Sequence, residues 1–302
     1  MPRIGRDGQS SILIVQGRDM SLVSRIASLL GRPLAIEQEK PDDFVAVGYP
    51  KTGNTWARVM LGKYIQLAYD LPFMPLFDPG EKGELERAGY QGPFGTFTHA
   101  PLVWTGQTAS DLTYDNVVAP FRKQMVILII RHPLDVLVSA FMHNLYQATV
   151  SRYPGSIEQF IEDPVFGLDK LLRFYQLWAT YCDKVRGFLI WRYEDARAQA
   201  SEHLLSLLKF LGLQPRELLI KRAVEFASFE NMQRLERSGE PPRYKSSGFA
   251  IFATGSRDNL NAYHVRKGKI RGYRDEISEE FAKRMEIRIA TEMPACFGYS
   301  QL

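Results

Sequence analysis

Apolar residues along this chain gather into short runs, separated by polar stretches that glycine and proline punctuate. Phe44–Tyr49 is an almost continuous apolar run, as a strand buried on both faces requires. Trp56, Val59, Met60, Tyr64 and Leu67 then recur at helical spacing, which predicts a helix over Thr55–Tyr69 with one apolar face. Met125–Ile130 reads as a central parallel strand ending at Arg131, and Phe188–Arg192 as another short strand. Leu204, Leu205, Leu208 and Leu211 predict the helix that follows, stopped at Gly212. Strand and helix in alternation predict an α/β fold, a single domain whose central parallel sheet is flanked by helices. Residues 1–40, with helix-like Met20–Leu30 and the short apolar Ser11–Gln16, read as an appended N-terminal element, and 41–302 as the domain itself.

Three polar or Gly/Pro-punctuated stretches interrupt the pattern: Leu71–Gly95, Tyr146–Gly167 and Arg237–Arg266. Stretches of that length inside a compact domain are usually lids, binding loops or disordered excursions. In a doubly wound sheet the ligand crevice lies beyond the carboxyl ends of the strands, and all three stretches can border it.

At 302 residues and 45% hydrophobic composition, the chain can bury one large α/β core. Its net charge of +4 is modest and includes no run of like charges. That argues against bulk nucleic-acid binding, which needs many phosphate contacts at once, yet it permits a compact polyanionic ligand. Cys182 and Cys296 belong to no metal or redox pattern and suit a reducing compartment. No apolar run reaches the ~18–20 residues of a membrane span, and no signal-like block follows the N-terminus. A cytoplasmic protein without a transmembrane segment is therefore expected.

Candidate chemistry begins where the first strand ends. Gly48-Tyr49-Pro50-Lys51-Thr52-Gly53-Asn54-Thr55-Trp56 is a glycine loop opening into a helix, a P-loop-like arrangement that offers backbone N–H groups and a positive helix end to a phosphate. Gly48, Gly53 and Thr55 have Walker spacing, but Asn54 stands where the Walker lysine belongs and the lysine has moved back to Lys51. A phosphate-like group fits this loop; an ordinary ATP site does not. The second motif is Arg131-His132-Pro133-Leu134-Asp135, continuing to Ser139. Pro133 suits a first helical turn, leaving Arg131 at the strand tip, where it and Ser139 could hold another anion or serve as a cap and a solvated serine. The third is Arg266-Lys267-Gly268-Lys269, either a solvated charged face or a place where glycine lets the backbone approach an anion beside two cations.

These three motifs together resemble the PAPS-dependent sulfotransferases, enzymes that use 3′-phosphoadenosine 5′-phosphosulfate (PAPS). Arg192-Tyr193-Glu194-Asp195 and Ser228-Phe229-Glu230-Asn231-Met232 resemble two linking pieces of the same family, and the five occur in the family's order over roughly residues 44 to 275. The resemblance implies that Lys51 balances charge on the bridging oxygen as the S–O bond breaks. It implies that the backbone of Thr52, Gly53, Asn54 and Thr55, with the two threonine hydroxyls, holds the 5′-phosphate. Arg131, Ser139, Arg266, Lys267 and Gly268 would clamp the 3′-phosphate, and Trp56, Tyr193 and Phe229 would surround the adenine. His99, in Thr98-His99-Ala100-Pro101, matches the family's catalytic base. His132, His143, His203 and His264 show no metal-ligand spacing, and no metal is expected. The implied product is adenosine 3′,5′-bisphosphate (PAP).

The chain departs from the family pattern at Phe97, where many members have lysine, and at Ala227, where a hydroxyl residue is common beside the adenine. Arg274–Arg284 has no good match to the short dimer motif of many animal members, so oligomeric state stays open. Trp104–Lys123 is an unusually long connection, read as lid or acceptor wall. Phe73, Phe77, Tyr90, Phe94 and Phe97 suggest an acceptor pocket with apolar walls, for a phenol, alcohol, lipid or natural product, or else plain core packing. Two other readings stand beside this one: a P-loop kinase of nucleosides or small molecules, and a nucleotide-binding relative without turnover. Asn54 counts against the first; Lys51 and His99 count against the second.

Overall fold

The computed structural model describes residues 14–16 as backbone, and residues 43–100, 102, 106–147, 152–243, 251 and 258–299 in full. Its strands in chain order are β1 (Ile14–Gln16), β2 (Phe44–Gly48), β3 (Gly95–Thr98), β4 (Met125–Ile130) and β5 (Gly187–Arg192). They form one sheet in the order β1-β5-β4-β2-β3. β2 lies parallel between β3 and β4, β5 continues in parallel beside β4, and β1 closes the β5 edge antiparallel. The predicted parallel sheet is thus present as four strands.

Alternation along the strands sorts the core into two layers. Val45, Val47, Val126, Leu128, Ile130 and Phe188 face one side, whereas Phe44, Ala46, Ile127, Ile129, Leu189 and Trp191 face the other. The helices are α1 (Asn54–Ala68), α2 (Lys82–Arg87), α3 (Tyr114–Val117), α4 (Pro133–Gln147), α5 (Ile157–Glu162), α6 (Leu168–Tyr181), α7 (Tyr193–Ala198), α8 (Ala200–Phe210), α9 (Glu217–Phe226), α10 (Phe229–Ser238) and α11 (Glu279–Glu292). α4, α6 and α11 cover the first layer; α1, α8 and α9 cover the second. No helix among the described residues is long and apolar enough to cross a membrane.

Two strands escape the sequence pattern. β3 is a half-buried edge strand carrying Gly95, Thr96 and Thr98, so it lacks an apolar run. Gly95 packs so closely on the Phe44 ring that a Cβ there would meet it at 2.5 Å. β1 lies within the segment read as appended, and it extends the domain's own sheet.

The loop readings also need correction. Phe77 and Tyr90 are core residues, not an acceptor wall: Phe77 is 1% exposed and packs edge-on against Phe44 at 5.4 Å. Their connection is folded because the buried Glu81 carboxylate accepts the N–H groups of Leu76 (2.9 Å) and Asp78 (3.3 Å). Phe94 and Phe97 pack against the same layer, and Phe73 lines a separate pocket of about 260 Å³ with Met74, Phe226 and Leu235. Within 106–123, Leu112, Val117 and Val118 are fully buried and Phe121 stacks on Trp178, so that part is framework. Met20–Leu30, Trp104, and positions 148–151, 244–250 and 252–257 of the anticipated loops lie outside the described residues.

Candidate active site

All four parallel strands end at one rim, and each delivers a motif there. β2 runs into the glycine loop, β3 into His99, β4 into Arg131 and β5 into Tyr193. The chain leaves β2 for β3 on one side and returns to β4 on the other, which makes β2 the switch point where such sheets open a crevice. A cavity of about 290 Å³ occupies that place, and every residue to which the resemblance assigns a catalytic or donor-binding role lines it except Thr52.

The loop is bent by two left-handed residues, Lys51 (φ 76°) and Gly53 (φ 109°). Gly53 is required for a second reason: a Cβ there would sit 2.9 Å from the Tyr193 ring. Thr52 is turned inward and fully buried; its N–H and its hydroxyl both donate to Tyr49 O, at 3.2 and 2.8 Å. The expectation that its hydroxyl holds a phosphate is therefore corrected, because that hydroxyl shapes the loop. α1 begins at Asn54 with no side-chain cap and no acidic residue in its first turn. Helix geometry leaves the N–H groups of Asn54 and Thr55 without an acceptor inside the helix, at its positive end and beside the cavity. Asn54 itself is structural as well as cavity-lining: its Oδ1 is 3.1 Å from the Thr52 hydroxyl and its Nδ2 donates to Thr98 O at 3.2 Å.

His99 follows directly from β3. Its Nδ1 is 2.7 Å from Gly48 O, and since a carbonyl only accepts, that nitrogen carries the proton and Nε2 keeps its lone pair. The ring is open to the cavity yet protein surrounds it closely. Burial lowers its pKa, the Gly48 bond partly opposes this, and the Arg58 and Lys51 cations lower it further. Burial likewise brings the Lys51 ammonium down to about 8, with Arg131 and Arg266 adding to the effect and Glu236 opposing it.

Also on the lining stand Arg131, Ser139, Arg266, Lys267 and Gly268, and Arg131 Nη1 reaches Lys51 O at 3.5 Å. The Arg131 guanidinium stacks 4.4 Å from the Tyr193 ring centroid and reaches Lys269 O at 3.3 Å. Arg266 Nη1 and Lys267 Nζ converge on Glu276 Oε1, at 2.7 and 2.6 Å. Gly268 adopts φ 58°, and a Cβ on it would sit 2.6 Å from Phe229, so this glycine lets the segment lie against the aromatic wall. Trp56 meets Tyr193 edge-on at 5.5 Å and donates its indole N–H to Ala227 O at 2.8 Å. Trp56, Tyr193 and Phe229 thus all line the cavity.

Buried carboxylates to which the sequence assigns no role pin these pieces together. Asp135, on α4, accepts the N–H groups of Arg271 (2.8 Å) and Tyr273 (3.0 Å). Glu236 accepts those of His264 (2.7 Å) and Val265 (2.9 Å), and Glu194 that of His132 (2.8 Å). Asp135→Ala strands the buried Tyr273 N–H and frees the partly buried one of Arg271, so a loss of ~1–3 kcal/mol for the buried donor is expected. Thermal unfolding should show a lower midpoint; an unchanged midpoint would mean that water replaces the carboxylate.

His143 and His264 also line the cavity. Burial brings His143 down to about 4 and His264 well below its ordinary value, with Lys51 contributing to both, so neither carries charge at neutral pH. His143 stands four residues beyond Ser139 on α4, and that helical period is the signal by which the chain could disclose it. His132 stacks on Tyr273 and His203 packs against Trp191, both away from the cavity lining. Among the described residues, no group of three or more His, Cys, Asp or Glu is arranged to hold a metal.

A family model described as the sulfotransferase domain matches residues 112–296. Sulfotransferase 1A1 of Bos taurus is 24% identical over 293 residues, covering 92% of each chain. Cytosolic sulfotransferase 16 of Arabidopsis thaliana is 24% identical over 267 residues, covering 82% of this chain and 75% of its own. Among solved structures, a mouse sulfotransferase complexed with PAP superposes with a TM-score of 0.57 at 18% identity, over 85% of this chain and 87% of that one. Retinol dehydratase in complex with androsterone and the inactive cofactor PAP gives 0.55 at 18% identity, over 89% and 84%.

Proposed function

Because the chain belongs to the sulfotransferase family, we propose that it moves a sulfuryl group from PAPS to a hydroxyl of a small or medium acceptor with a partly apolar surface. The observation that carries this reading is one cavity whose lining brings together an uncapped helix N-terminus, Lys51, Arg131, Arg266 and Lys267. One cavity lined by several cations and a positive helix end suits a nucleotide bearing phosphate at both its 5′ and 3′ positions. The residues fit such a donor: Gly53 and Gly268, where a Cβ would collide with the Tyr193 and Phe229 rings, bring backbone directly against two aromatic rings of the cavity lining.

The donor supplies an SO3 group on a phosphate leaving group. The N–H groups of Asn54 and Thr55, with the Thr55 hydroxyl, hold the 5′-phosphate, and Lys51 faces the bridging oxygen as negative charge develops there. His99 Nε2 takes the acceptor's proton during in-line attack, with Gly48 O fixing the tautomer. Arg131, Ser139, Arg266, Lys267 and Gly268 grip the 3′-phosphate and so set the orientation of the whole donor. The phosphate competes with Glu276 for Arg266 and Lys267, and as a near-dianion it has the advantage over a carboxylate. The acceptor classes to try first are phenols and compact apolar alcohols; a structural neighbour holds androsterone beside PAP. We place the enzyme in the cytoplasm, as for its cytosolic relatives.

Incubation with PAPS and an acceptor panel should give products heavier by one SO3, read by mass spectrometry. PAP binding without transfer to any acceptor would favour a non-catalytic relative, and turnover of ATP with Mg2+ would favour a kinase. A sharper test addresses the 3′-phosphate. Charge-assisted hydrogen bonds of ~1.5–3 kcal/mol predict that Arg131→Ala weakens PAP at least ~10-fold while 5′-AMP is far less affected. Equal losses for both nucleotides would remove Arg131 from the 3′-phosphate.

A further inference from the structure

We infer that Arg58 is a positioning residue for the reaction: from α1 it docks the end of β3 against the helix that opens on the donor loop, and it fixes a positive charge beside the His99 ring. This rests on His99 being the base. Arg58 stands one helical turn beyond Asn54, so the two side chains leave α1 on one face. Asn54 Nδ2 donates to Thr98 O at 3.2 Å, and Arg58 Nη2 donates to Phe97 O at 2.9 Å. Those carbonyls belong to the two residues immediately before His99. The Arg58 guanidinium also lies 4.9 Å from the Phe97 ring centroid, a stacked contact that restricts its direction. β3 is the sheet's edge, where a strand end has fewest ladder bonds to hold it, so these two contacts carry weight.

His99 is thereby suspended from three points of one continuous segment: Gly48 O through its own Nδ1, Asn54 through Thr98, and Arg58 through Phe97. A shift of the donor loop is transmitted to the base through α1. The charged and titratable groups facing His99 are Arg58 and Lys51 from this segment, and His264 from the C-terminal segment. His264 is uncharged at neutral pH, which leaves the two cations to act on the ring. Arg58 does not line the cavity, so it reaches the reaction only through His99.

The substitutions separate charge from hydrogen bond. Arg58→Gln keeps an N–H donor for Phe97 O and drops the cation; Arg58→Lys keeps the cation. In the full chain, Kd for PAP should stay within about twofold for both, because neither touches the donor site. In Arg58→Gln the acid limb of the kcat profile should move to higher pH, since losing a nearby cation lets His99 hold its proton longer. The loss should grow to about twofold on the acid limb and recover in alkaline buffer, with Arg58→Lys close to wild type throughout. An unmoved acid limb in Arg58→Gln, or equal damage from Gln and Lys, overturns the role. If His99→Ala retains turnover, the base assignment itself fails; if His99→Ala is inactive while Arg58→Gln behaves as wild type, only Arg58 is wrongly placed.

Discussion

Replacing His99 by alanine is expected to lower kcat by about 10²-fold or more while leaving PAP affinity nearly unchanged. The geometry gives the reason. Gly48 O holds the Nδ1 proton at 2.7 Å, so the basic lone pair is on Nε2. Burial and the cations Arg58 and Lys51 lower the ring's pKa, so the neutral form extends to lower pH than for a free histidine. Activity should therefore fall on the acid side, as His99 gains a proton, and that limb should vanish in His99→Ala. Acceptors differ in their need for a base: a phenol already ionised at the assay pH should lose much less than an aliphatic alcohol. A change below threefold for an alcohol acceptor, with the chemical step shown to limit turnover, would place the base elsewhere.

Three motifs of this site are legible in the sequence for one reason: each directly follows an apolar run that is buried in the sheet. β2 and β4 are unmistakable, so the pattern of apolar residues alone puts Lys51 and Arg131 just beyond strand ends, and Tyr193 follows from β5. His99 is harder to read, because β3 is an edge strand without an apolar run, and only its Thr-His-x-Pro segment and its chain order point to it. The amphipathic face of α6, with Leu168, Leu171, Leu172, Tyr175 and Trp178, is periodic enough to be legible, yet it carries no motif that would draw attention to it. Asp135, Glu194 and Glu236 are illegible in principle. Nothing in the sequence of an acidic residue says that its partners are backbone N–H groups of a segment far along the chain. Thr52 fails for the opposite reason: its motif position is right, and the direction of its hydroxyl is decided by the local turn.

Lys51→Met is expected to cost about 10²–10³-fold in kcat, the range for removing one donor aimed at developing charge. The pH profile distinguishes this role from simple donor binding. In the free protein, burial and the neighbouring Arg131 and Arg266 bring Lys51 to about 8. The ammonium is present below that value and lost above it, so kcat/KM for the donor should decline as pH rises through about 8. Once the donor's negative charge is in place the ammonium is favoured again, and the alkaline limb of kcat should lie at higher pH than that of kcat/KM. Arginine at this position stays charged throughout, so Lys51→Arg should remove the alkaline limb even where its bulkier fork lowers the rate. In Lys51→Met both the rate and the limb should be lost, while PAP, which lacks the transferred group, should bind within about tenfold of wild type. A loss in PAP affinity equal to the loss in kcat would mean that Lys51 only anchors the nucleotide, and the charge at the breaking bond would then have to come from elsewhere on the rim.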